Sequence, residues 1–125
     1  MYGIKTADEA MKMVDEQRER LNAACLSSKP SEDLAHAVNE LAKWEGFAAA
    51  LIRVEKHRTY LADNGITGMR AHFALASIIG HSLASGADDK WSGRGNDSKR
   101  AWFDGYSTAM DEVLDDLEDQ AADLI

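Results

Sequence analysis

Residues 44–54 read WEGFAAALIRV, and this stretch decides the fold. Trp44, Phe47, Leu51 and Val54 recur at three- and four-residue spacing, the period of one α-helical face. Alanines and Ile52 fill most of the remaining circumference. A helix that is apolar on most sides needs more than one packing neighbour. Gly46 lies inside it, as a point of close packing or a mild kink.

Outward from this segment, the helical pattern reaches Ser31 on one side and Asp63 on the other. Ser31 is an N-cap type, and Glu32 and Asp33 after it suit the positive end of a helix dipole. Asn64-Gly65 is a C-terminal stop signal. Within this long element the apolar stripe drifts. Leu34, Ala37, Val38 and Leu41 share one face, whereas Trp44, Phe47, Leu51, Val54 and Leu61 move round the cylinder.

A first helix over 6–26 precedes it. Thr6 and Glu9 have the T-x-x-E spacing of a capping box. Ile4, Ala7, Met11, Val14, Leu21 and Cys25 follow at helical spacing, interrupted by Arg18, and Cys25 reads as a packed thiol. The helix stops before Ser27-Ser28-Lys29-Pro30. A third helix over 67–85 carries Met69, Phe73, Ala76, Ile79, Gly80 and Leu83 on one face, widened by Leu75 and Ile78. Arg70 is its only charged residue, so it is the expected centre of the fold or a subunit interface. A fourth helix over 97–124 shows a stripe of Phe103, Tyr106, Met110, Val113, Leu114, Leu117, Ala121 and Leu124. Strand-like alternation is absent. The reading is an all-α, four-helix bundle-like single domain of 125 residues, with a Gly-rich loop over 86–97. The longer helices, 31–63 and 97–124, would reach roughly 40 Å or more at the usual rise per residue. Their uncovered ends invite dimerisation, so a homo-oligomer, most simply a dimer, is expected.

Composition narrows the function classes. Lys and Arg number 14 against 22 Asp and Glu, a net charge of −8. That balance argues against direct binding of a nucleic-acid backbone. The single cysteine excludes an internal disulfide framework. The sequence opens without an apolar secretory core. Residues 69–87 are nearly uncharged but hold Arg70, two histidines and several Ser and Gly, so no membrane span is expected. A cytoplasmic protein follows from these points.

Two regions are candidates for function. In the first, Lys90, Trp91, Arg94, Lys99 and Arg100 surround glycines that lead into a helix start. Free amides and the dipole favour an anion there, and a tryptophan could stack on a base. A small anionic or nucleotide-like ligand would suit this region, although the Walker spacing is absent. A flexible loop whose charges are solvated and whose tryptophans fill the core is the simpler reading. In the second, Asp111, Glu112, Asp115, Asp116, Glu118, Asp119 and Asp123 place seven carboxylates in 13 residues without a base among them. This face is a solubilising surface, a docking surface for a basic protein partner led by Asp111, Asp115, Asp116 and Asp119, or a divalent-metal site, in that order. Acids so near a helix C-terminus oppose its dipole.

Enzymatic constellations fail on spacing. Glu16 and Glu19, with Glu112 and Asp115, match the letters of the all-α nucleotide pyrophosphohydrolase motifs. The two pairs lie more than 90 residues apart, far too distant for that family. His72 and His81 fall on opposite sides of one helix, and His72 reads as a hydrogen-bonded core residue. His36 and His57 lie roughly 31 Å apart along the second helix. No catalytic residues, metal or cofactor are expected. Trp44, Phe47, Trp102, Phe103 and Tyr106 occupy core-type positions.

Arg100-Ala101-Trp102-Phe103-Asp104-Gly105-Tyr106, followed by an amphipathic acidic helix, resembles small acidic helical accessory proteins of bacteriophages and prophages. The resemblance implies a non-enzymatic protein that binds and inhibits or redirects a host component, such as a defence system.

Overall fold

The computed structural model describes residues 4–26, 30–85 and 96–124, with side chains at 4–26, 34–83 and 99–123. Among the described residues the elements are α1 (Ala7–Cys25), α2 (Pro30–Asp63), α3 (Gly68–Ser85) and α4 (Asn96–Leu124). Among the described residues there is no strand, and the protein is an all-α bundle. Pro30 takes the first position of α2, where its missing N–H costs nothing. Of the 86–97 loop, residues 86–95 lie outside the described residues, and Asn96 and Asp97 already belong to α4.

Local signals set the helix ends. The Thr6 side chain accepts the Glu9 N–H at 3.2 Å, which is the first half of the expected capping box. A second group caps the same end: Ala7 N–H donates to Glu55 Oε1 of α2 at 2.9 Å. One orphan amide is thereby satisfied from across the bundle, with a negative charge at the positive end of the dipole. At the other end of α2, Gly65 has φ 71°, the left-handed conformation that glycine accepts without strain. Gly65 N–H donates to the Ala62 carbonyl at 3.0 Å and Ile66 N–H to the Leu61 carbonyl at 2.9 Å. This pair of bonds is a Schellman motif, and Ile66 packs on the core beside it.

α2 is the centre of the fold. At 34 residues it is about 51 Å long. It makes the two most extensive helix contacts, with α4 on one side and α1 on the other. Trp44, Phe47, Ala48, Ala50, Leu51 and Val54 are all buried, so the WEGFAAALIRV segment is enclosed from several directions, as its composition requires. Trp44 meets Phe47 edge-on with centroids 5.5 Å apart. From α4, Tyr106, Ala109, Met110, Val113 and Leu117 complete the core, and α1 adds Ala7, Ala10 and Val14.

The α2–α4 crossing is exceptionally close, and two glycines cause it. A Cβ on Gly46 would overlap the Trp102 carbonyl. A Cβ on Gly105 would overlap the Lys43 carbonyl and crowd the Phe47 amide. Each helix therefore carries a notch against the other's backbone. Gly46 is a point of close packing.

Two expectations are corrected. α3 is peripheral instead of central: it touches α4 and α2 only modestly. Its inner side is Leu75, Ile79 and Ser82, whereas Phe73 and Gly80, expected inside, face solvent. In a helix with one charged residue, polarity does not mark which side turns inward. Cys25 is exposed. The buried row of α1 runs through Val14, Gln17 and Ala24, and the next residue lies about 100° round the helix.

Candidate functional site

A groove of about 580 Å³ lies where the start of α1 meets α2 and α4. Three chain segments build it. Ile4, Lys5 and Thr6 lie at one edge. Leu51, Val54, Glu55 and Arg58 come from successive turns of α2. Ala109, Glu112, Val113, Asp115, Asp116, Asp119 and Gln120 come from α4. Leu51, Val54, Ala109 and Val113 are buried core residues and give the groove an apolar base. Five carboxylates, those of Glu55, Glu112, Asp115, Asp116 and Asp119, surround it against two bases, Lys5 and Arg58.

The roles of these side chains differ. Glu55 is committed to the α1 N-terminus through its bond to Ala7 N–H. Asp115 and Asp119 are exposed and Asp116 is half-buried. Asp115 and Asp119 stand one turn apart, so their carboxylates stack along one wall. Such a wall over an apolar base attracts a cation that carries a hydrocarbon stem, which is the chemistry of lysine and arginine side chains. Among the described residues, no group of three or more His, Cys, Asp or Glu side chains is arranged to hold a metal ion.

A smaller apolar cavity of about 210 Å³ lies between α2, α3 and α4, and Arg58 and Gln120 line both it and the groove. His72 borders it and joins α3 to α4. His72 Nδ1–H donates to the Gly68 carbonyl at 2.9 Å, and Nε2 meets the Gln120 side-chain amide at 2.9 Å. His72 is hydrogen-bonded, as expected, but half-buried at the margin of the core.

Of the acidic residues singled out from sequence, Glu112, Asp115, Asp116 and Asp119 come together in the groove, whereas Asp111, which is exposed, does not line it. Lys90, Trp91 and Arg94 lie outside the described residues. Lys99 and Arg100 stand near the start of α4, Lys99 half-buried and Arg100 exposed. Trp44, Phe47 and Tyr106 are buried, and Trp102 and Phe103 half-buried. Trp102 stacks on Tyr106 with centroids 5.1 Å apart and planes inclined by 15°. Sequence reasoning did not place Glu55 and Arg58 at a site. They sit one turn beyond Leu51 and Val54, so a groove at this end of α2 could be anticipated once α4 was known to lie beside it.

No protein-family model, no curated protein and no solved structure matches the chain. No described helix is long and apolar enough to cross a membrane.

Proposed function

We propose that this protein is a non-enzymatic interaction module of the cytoplasm. It docks a basic protein partner on the acidic face of α4 and works as a homodimer. The observation that carries the reading is the groove, where Asp115, Asp116 and Asp119 stand over the apolar base formed by Leu51, Val54 and Val113. A basic helix or loop laid there would bury its aliphatic stems and pair its charged ends, and the acidic field would speed its approach. A host component that exposes such a segment is the kind of partner that the likeness to phage accessory proteins implies.

The test is co-purification with the tagged chain, with partners identified by mass spectrometry. The wild type is compared with the Asp115→Lys, Asp119→Lys double variant at low and high salt. A partner rich in Lys or Arg, retained by the wild type, weakened by salt and lost from the variant, supports the reading. The same partners on both chains contradict it.

The alternative is a small anionic or nucleotide-like ligand held by Lys90, Trp91, Arg94, Lys99 and Arg100. The position of Lys99 and Arg100 near the α4 N-terminus favours it, because that end of a helix attracts anions. A thermal-shift screen with nucleotides and phosphates discriminates the two. A selective ligand raises the melting midpoint by mass action, and a flat screen removes this alternative.

A further inference from the structure

We propose that a cavity between the second half of α1 and the first half of α2 binds a free α-amino acid with a carboxamide side chain, recognised through the buried amide of Gln17. This site lies at the other end of α1 from the acidic groove and is independent of what binds there. The cavity has a volume of about 350 Å³, at the small end of the range for ligand pockets. Gln17, Arg20, His36 and Glu40 are its polar lining, and Ala23, Ala24 and Ala37 its apolar lining. All of these side chains are described.

Gln17 carries the inference. It is 2% exposed and belongs to the buried row of α1, with Val14 before it and Ala24 after it. An apolar side chain there would fill the same space without burying an amide. Buried amides are ordinarily hydrogen-bonded. Among the described residues Gln17 has no hydrogen-bond partner, and the little of it that stays accessible faces the cavity that it lines. Two N–H donors and a carbonyl acceptor are thus held ready in a site of low polarity.

The groups around it match the two charges of an amino acid. Arg20 is a permanent cation whose planar fork suits a carboxylate, and His36 adds a ring N–H. Glu40, half-buried one turn after His36, is an acceptor for an ammonium group. Among the described residues neither Arg20 nor Glu40 is held in an ion pair. The same two charges exclude other ligands: Glu40 repels a phosphate or dicarboxylate, and Arg20 repels a polyamine. What remains is a zwitterion with a neutral polar end. A carboxamide meets the Gln17 amide in both directions, N–H to carbonyl each way. The three alanines leave room for the methylenes between.

Calorimetric titration of the full chain with L-glutamine and with L-asparagine tests the proposal. One of the two is expected to bind saturably, and L-leucine, which has the same charges without the amide, at least about 10-fold more weakly. Gln17→Met keeps the volume and removes the amide. It is expected to weaken binding at least about 10-fold and, without ligand, to raise the melting midpoint, because an unpartnered amide leaves the core. Arg20→Ala, at an exposed position, is expected to weaken binding by a similar factor with an unchanged midpoint. No binding of either amide up to about 10 mM overturns the proposal. So does L-leucine binding as tightly, or binding that Gln17→Met or Arg20→Ala leaves intact. A lower melting midpoint in Gln17→Met also overturns it, since the amide would then be bonded within the protein.

Discussion

Gly46 and Gly80 are both glycines inside long helices, and their surroundings are opposite. Gly46 sits in the α2–α4 crossing, where the Trp102 carbonyl occupies the space a Cβ would need. Gly80 faces open solvent on α3. The first is fixed by packing within the chain; the second is a notch that no described residue fills. The difference separates a seam that holds the fold from a position that the described helices do not constrain.

The largest expected effect is at the seam. Gly105→Val places three carbons against the Lys43 carbonyl and the Phe47 amide, so the helices must separate. A loss of at least about 3–5 kcal/mol is expected in urea unfolding, since it combines overpacking with backbone displacement. Phe47→Ala leaves a cavity in the same place and is expected to cost about 3–5 kcal/mol. A loss below about 1 kcal/mol for either would mean that the crossing is loose. Next is the α1 N-terminus. Thr6→Ala and Glu55→Ala each remove one cap and should cost about 1 kcal/mol. The Glu55 effect should appear as fraying of α1 in amide exchange, which sharpens the view that α2 holds α1 in place. Gly80→Ala has the opposite sign: thermal unfolding of dilute protein should show a gain of about 0.5–1 kcal/mol. A loss there would reveal a contact on the outer face within the monomer. The smallest effect belongs to the groove. The Asp115→Lys, Asp119→Lys variant should stay within about 0.5 kcal/mol of the wild type, because exposed charges contribute little and acids near this helix end oppose its dipole. A matching unfolding curve makes any loss of a partner a loss of recognition.

Much of the fold was legible where a short-range rule had one answer. Thr6 caps α1, Asn64-Gly65 closes α2, and Tyr106, Met110, Val113 and Leu117 of the α4 stripe are buried, all as spacing alone implies. The crowding in WEGFAAALIRV pointed to several neighbours, and α1 and α4 are those neighbours. α3 was less legible because apolar residues ring it. Met69, Phe73 and Leu75, Ile79 make equally good stripes, and only contact with α4 and α2 selects the second. Cys25 failed for a related reason, since a drift of one position near a helix end turns a buried site outward. Of the groove, the carboxylates of α4 were visible in sequence. Its base and its opposite wall were not, because Ile4, Leu51 and Arg58 reach it from distant parts of the chain.

Each surface assigned here depends on α2, not α3, being the centre of the fold. Native-state amide hydrogen exchange tests that ordering directly, because amides in the last structure to open exchange only through global unfolding. The slowest amides should lie at residues 44–51 of α2 and 106–113 of α4, with those of α3 exchanging at least about 10-fold faster through local opening. Amides of α3 as slow as those of residues 44–51 would contradict the account.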